Sequence, residues 1–146
     1  MGRAILAVIV SYVVMFLLTI ATFICAYLVL GADQAFKPKL YQASNRWAAM
    51  SFVIHIIVGI IGGLICVAIS KGGRAPVALA GVAVVVGMLL AIPVLMRRNE
   101  GPKVRVGEVS VMEAMQRAKQ PIWVPFTLPI VAAIGVLIGG KLKRQS

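Results

Sequence analysis

The stretch AILAVIVSYVVMFLLTIATFICAYLVL, residues 4–30, decides the fold class. It carries no charge, and Ser11, Thr19 and Thr22 are its only polar interruptions. A membrane span needs about 20 mostly apolar residues. This run exceeds that, so it must tilt or extend past the hydrocarbon. Barrel strands are shorter and alternate in polarity. In lipid every backbone amide must be bonded internally, so the run is expected to be a helix.

Three more segments have the same character: Trp47–Ile69, Ala75–Met96 and Ile122–Gly140. The expected fold is therefore an all-α integral membrane protein. Residues 1–146 form a single four-span domain arranged as two helix hairpins. The second and third spans are joined by the tight polar turn Ser70–Arg74. The longer connections, Gly31–Arg46 and Arg97–Pro121, fall together on the opposite side.

Composition agrees with this reading. The 146 residues are 61% hydrophobic and 13% charged, whereas a soluble domain is about 45–50% apolar and about 25% charged. The polar stretch between Met96 and Ile122 is too short to bury a core of its own, so no soluble domain is expected. The net charge of +11 comes from 15 Lys+Arg against 4 Asp+Glu. These cations are spread over every loop and both ends, with no basic face and no interleaved aromatics. Nucleic acid is not an expected partner; a bilayer containing anionic lipids is.

The start of the chain is too long an apolar run for a signal-peptide core, and Leu6 stands where a myristoylation signal needs Ser or Thr. The first span is read as retained. Six basic residues lie on the side of the termini and nine on the side of the long loops. The terminal-side charges are packed into shorter segments, which weigh more in setting topology. Both termini are accordingly expected in the cytoplasm. The layout resembles that of small four-span proteins of bacterial membranes; the resemblance implies a bacterial cytoplasmic membrane and says nothing of an activity.

Trp47 and Trp123 each stand at a span start on the loop side and read as interface anchors. In the second loop, Ser110 and Glu113 have the spacing of a capping box. Val111, Ala114, Met115 and Ala118 then share one helical face ahead of Pro121. This predicts a short amphipathic helix over residues 111–120 lying in the interface, with a capped connector as the alternative. The second and fourth spans also resemble each other. Each begins with Trp and reaches a glycine pair, Gly62-Gly63 or Gly139-Gly140, hinting at two duplicated hairpins.

Catalytic chemistry is sparse. Asp33, Glu100, Glu108 and Glu113 all lie outside the spans. This argues against a proton-coupled exporter, which needs an intramembrane carboxylate. Cys25 and Cys66 stand at depths about 20 Å apart on their helices, too far for a disulfide. Both are expected to be buried free thiols. No metal-ligand spacing and no nucleophile–base set is present, so no catalytic or metal residue is named.

Packing chemistry is abundant. Gly59 and Gly63 form a G-x-x-x-G, as do Gly135 and Gly139, and Ala83, Gly87 and Ala91 repeat at the same spacing. Small residues four apart let helix backbones approach closely, within one bundle or between chains. Pro93, Pro125 and Pro129 should bend or loosen their helices.

His55, the single histidine, lies about eight residues into the second span. Ser51 and Gly59 flank it on one helical face. The favoured reading is a neutral imidazole bonded to a backbone carbonyl or to a facing hydroxyl such as Ser11, Thr19 or Thr22. One alternative is axial ligation of a haem or a chlorophyll-type pigment, with the small flanking residues leaving room for a flat macrocycle. Another is a relay or substrate contact. The expected function is a non-catalytic accessory or assembly subunit that packs against other membrane chains or its own copies, without a required cofactor. A His55-ligated cofactor carrier and a channel or transporter for a neutral or lipid-like solute are the rivals.

Overall fold

A computed structural model describes residues 2–71, 73–97, 99, 101, 103–104 and 106–145. Gly72 of the tight turn and the loop charges Arg98, Glu100 and Arg105 lie outside the described residues. Four helices are long and apolar enough to cross a membrane: α1 (Gly2–Leu30), α3 (Asn45–Ser70), α4 (Ala75–Met96) and α6 (Trp123–Gln145). Two short helices, α2 (Ala32–Ala35) and α5 (Val111–Arg117), sit in the connections. The chain is an all-α membrane-spanning protein. The last helix runs past Gly140 because Lys141, Lys143 and Arg144 are good helix formers, and cations suit a helix C-terminus.

Local chemistry explains the boundaries. Gly31, at φ 73°, ends α1, and its N–H donates to the Tyr27 carbonyl at 2.8 Å. Positive φ costs glycine little, which is why it terminates helices. Ser44 caps α3 by accepting from the Trp47 N–H at 3.1 Å. At the far end Lys71 turns left-handed, and Pro76 stands in the first turn of α4, where its missing N–H is not needed.

α3 and α6 make the most extensive helix contact, followed by α4 with α6 and α1 with α3. The sequential hairpins α1–α3 and α4–α6 therefore join through two parallel helices. α1 and α4 meet far less than either meets its hairpin partner. Outer faces are apolar throughout: Leu17, Val29, Val53, Leu89 and Ile134 are exposed. A soluble protein would bury such a surface; here it suits lipid.

Hydroxyls in the spans bond their own helix. Thr19, Thr22, Ser51 and Ser70 each donate to the carbonyl four residues back, at 2.6–2.8 Å. Ser11 departs from this pattern: its buried hydroxyl bonds no carbonyl of its own helix and lies toward the buried Cys66 thiol. The cysteine expectation needs one correction. Cys66 is buried, but Cys25 is exposed, since it lies on the outer face of α1.

The two long loops fold on each other. Isolated bridges join Leu40 to Val104 and Gln42 to Lys119, and a third, Phe36 to Ala43, closes the first loop on itself. Tyr27, Ala35, Phe36, Tyr41 and Ala114 form a small buried cluster there, with Trp47 packed against it. Neither loop can bury a core alone. Together, over the aromatic loop-side ends of α1 and α3, they do.

Candidate functional site

Along α3 and α6 the glycines are placed face to face. A Cβ on Gly59 would lie 3.1 Å from the Gly135 Cα, and one on Gly63 would lie 2.8 Å from the Gly140 nitrogen. A Cβ on Gly139 would lie 2.8 Å from the carbonyl carbon of Ile60. Real side chains do not tolerate such approaches to backbone. The register 59–135 and 63–140 rises together, as parallel helices require. Gly59 and Gly135 meet each other, and Gly63 and Gly139 each meet the backbone of the opposite helix, all within the chain.

The third stripe behaves differently. Ala83, Gly87 and Ala91 all line a cavity of about 760 Å³. Gly87 also receives the Pro129 ring, which a Cβ there would meet at 2.5 Å. The cavity lies where α1 and α4 part, with α6 behind it through Leu128, Pro129 and Ala132 and α3 through His55 and Val58. Thr19, Ile20 and Phe23 of α1 face it. All three candidate kink prolines, Pro93, Pro125 and Pro129, border it.

His55 is half-buried on this wall. Its Nδ1 bonds the Ser51 carbonyl at 2.8 Å. The partner lies one turn back on the same helix, so the expected bond to a facing hydroxyl is replaced by a local one. Thr19 and Thr22 are engaged with their own helix, and Ser11 packs deeper in the bundle core. A carbonyl only accepts, so Nδ1 carries the proton of this bond, and Nε2 of the neutral ring keeps a lone pair. Among the described residues Nε2 has no partner. The Phe23 ring meets the imidazole edge-on at 5.8 Å between centroids.

The mouth of the cavity is at the loop cap. Four cations line it, Arg97, Lys103, Arg117 and Lys119, and no carboxylate does among the described residues. Arg117 pairs with Glu113 at 3.1 Å and sits over the Tyr41 ring. Arg97 and Lys103 are exposed and have no ion pair among the described residues.

The cap is held by buried polar contacts. Tyr27 donates its hydroxyl to the Val109 carbonyl at 2.8 Å, and Tyr41 donates to the Glu113 carboxylate at 2.7 Å. That hydrogen bond, with burial adding to it, raises the Tyr41 phenol above its ordinary pKa of 10.0. The capping box at α5 is half made. Ser110 accepts from the Glu113 N–H at 3.3 Å, but the Glu113 side chain goes to Tyr41 and Arg117. The helix ends at Arg117 rather than residue 120 because the Lys119 N–H is drawn to the Tyr41 carbonyl at 2.7 Å. Ala114 is buried while Met112 and Met115 are exposed.

The two tryptophans also differ. Trp47 is turned inward against Phe23 and Tyr27, at 5.6 and 6.3 Å between ring centroids. Trp123 is exposed and stacks on Phe52 at 5.9 Å. Sequence reading found His55 and the small residues but missed the cationic mouth, which draws on α4, the second loop and α5. The usable signal was that both long connections fall on one side of the bundle. No family model matches the chain, and no curated protein or solved structure matches it.

Proposed function

We propose that this protein is a non-catalytic membrane protein that holds one anionic amphiphile. Its apolar body sits between α1 and α4, and its acid group lies at the cap. One observation carries the reading: a cavity of about 760 Å³ with apolar walls whose charged residues are cations gathered at one end. That volume is within the roughly 300–1,000 Å³ of ligand pockets. Apolar walls and a basic mouth complement an apolar tail and an acid group, each satisfied by what it touches. No carboxylate or cysteine lines the cavity among the described residues, so nothing there pairs with His55 as an acid–base set.

The alternative of an assembly subunit acting through its small-residue faces has less support. Gly59, Gly63, Gly135 and Gly139 are occupied within the chain, and the outer faces present bulky side chains. The proposed setting is a bacterial cytoplasmic membrane with the termini inside. The support is the concentration of Lys71, Arg74, Lys141, Lys143 and Arg144 in short segments. The cap and mouth then face outward.

Native mass spectrometry of the full chain in mild detergent tests the reading. Wild type should carry one bound amphiphile. Thr19→Phe, which places a ring in the cavity, should lose it, whereas Leu17→Phe on the outer face should keep it. A wild-type protein free of any bound amphiphile overturns the proposal.

A further inference from the structure

We infer that the amphiphile is a membrane lipid ending in a bare phosphate monoester, held at its phosphate by Arg97 and Lys103. The inference rests on the binding reading above and names the ligand class.

The source of the ligand follows from the seam between α1 and α4. Phe16 of α1 and Leu90 of α4 both border the cavity, yet they are 52% and 64% exposed. The same side chains thus face the cavity and the outer surface of the bundle, which in a membrane is lipid. Along α1 the cavity reaches from Tyr12 to Tyr27, about 22 Å of helix at about 1.5 Å per residue. Its inner side is closed, because Ala83 and Ala91 are buried and the Pro129 ring covers Gly87. What stays is an elongated slot, open sideways to the bilayer, in which hydrocarbon can lie along the helices as it does in the membrane.

The acid group follows from the charges. Arg97 and Lys103 border the cavity, and the fold fixes the backbone of both. The Arg97 N–H donates to the Pro93 carbonyl at 3.2 Å, and the Lys103 carbonyl accepts from the Tyr41 N–H at 3.0 Å. Both residues are exposed, with no ion pair among the described residues. Arg117 and Lys119 border the same space. A carboxylate brings a single charge and leaves most of this field unmatched. A phosphate monoester brings about −1.5 to −2 at neutral pH and three acceptor oxygens. The planar fork of an arginine can take two of those oxygens, and a lysine adds a point charge.

The head is bare because the mouth offers no partner to a cation. No carboxylate lines the cavity among the described residues, and Glu113 of the cap is engaged by Tyr41 and Arg117. The rings of Tyr27, Phe36 and Trp47 pack edge-on against one another instead of forming an open cage. An ammonium or choline head would therefore meet cations and no compensating group.

The test uses the full chain in mild non-ionic detergent, stripped of lipid and titrated with amphiphiles of matched tail length: hexadecyl phosphate, palmitate, hexadecyl sulfate and hexadecylphosphocholine. Native mass spectrometry counts the adducts. Hexadecyl phosphate should bind at one per chain, about tenfold tighter than palmitate or the sulfate, with the phosphocholine weakest. Arg97→Gln/Lys103→Gln should remove that preference. Lys143→Gln/Arg144→Gln, which lowers the net charge equally at the far end of α6, should keep it. Inorganic phosphate, matched in ionic strength to a chloride control, should leave the lipid bound. Gel filtration reports the fold of each variant. Equal affinity for palmitate, tight binding of the phosphocholine, or displacement by inorganic phosphate overturns the inference. So does a preference that survives Arg97→Gln/Lys103→Gln or is lost equally in Lys143→Gln/Arg144→Gln. In each of these cases an adduct that Thr19→Phe removes leaves the binding reading standing. If no amphiphile gives such an adduct, the binding reading has failed as well.

Discussion

Replacing Gly63 with alanine tests the central crossing of the bundle. An added Cβ would lie 2.8 Å from the Gly140 nitrogen and 2.9 Å from the Val136 carbonyl carbon, both backbone atoms. Closer still is the Val136 carbonyl oxygen, and ordinary Cβ contacts begin near 3.4 Å, so α6 must retreat by roughly 1 Å. A gap of about 0.5–1 Å forfeits a quarter to a half of the dispersion energy at each neighbouring contact. Overpacking of this kind costs about 1–3 kcal/mol, roughly a 5- to 150-fold change in the folding equilibrium. Alanine also favours helix over glycine by about 0.5–1 kcal/mol. Gly81→Ala isolates that gain, because a Cβ at Gly81 meets nothing within 4 Å. The difference between the two variants should therefore be about 1–3 kcal/mol. Unfolding in mixed micelles of rising SDS fraction measures it, with tryptophan fluorescence as the signal: Trp47 packs against Phe23, and Trp123 stacks on Phe52. If the variants agree within about 0.5 kcal/mol, the experimental margin for independent sites, the close approach of α3 and α6 does not hold the bundle together.

Three further outcomes are expected. A small maleimide should label one thiol per native chain, the exposed Cys25, and label buried Cys66 only after unfolding; mass spectrometry reads the stoichiometry. Ser44→Ala should destabilise the start of α3 by about 0.5–2 kcal/mol, seen as faster amide exchange at Trp47, because Ser44 both caps that amide and donates to the Gln34 carbonyl. The cap should loosen at alkaline pH. The folded Tyr41 pKa is raised above 10.0, so its contribution is complete below pH 10 and is lost as pH rises through the higher folded value. The emission of Trp47, which packs against this cluster, should change in that window, and Tyr41→Phe should remove the change.

The spans were legible because each residue's cost of transfer into lipid depends mainly on its own chemistry. Ala75–Met96 was bounded to the residue. The other three were placed within a few residues, save the charged end of α6, which continues as helix beyond the hydrophobic run. The site was legible only in part. His55 stood out as the single histidine in an apolar run, but its partner did not, because a ring can bond its own helix or a facing one with the same local sequence. The four cavity cations come from separate segments with no shared motif. Their common position appears only once the two loops are seen to pair.

By itself, then, the sequence determined four membrane helices, the turn between the second and third, and the cap at Ser110. All of these follow from interactions within about one helical turn or from transfer of a segment into lipid. Tertiary structure decided which small residues face each other and which face space. Gly59, Gly63, Gly135 and Gly139 close a parallel crossing, while Gly87 receives the Pro129 ring and Ala83 and Ala91 are buried at the edge of a cavity. A small side chain permits close approach without specifying what approaches. That choice belongs to the other helices, and so does the role of the histidine among them.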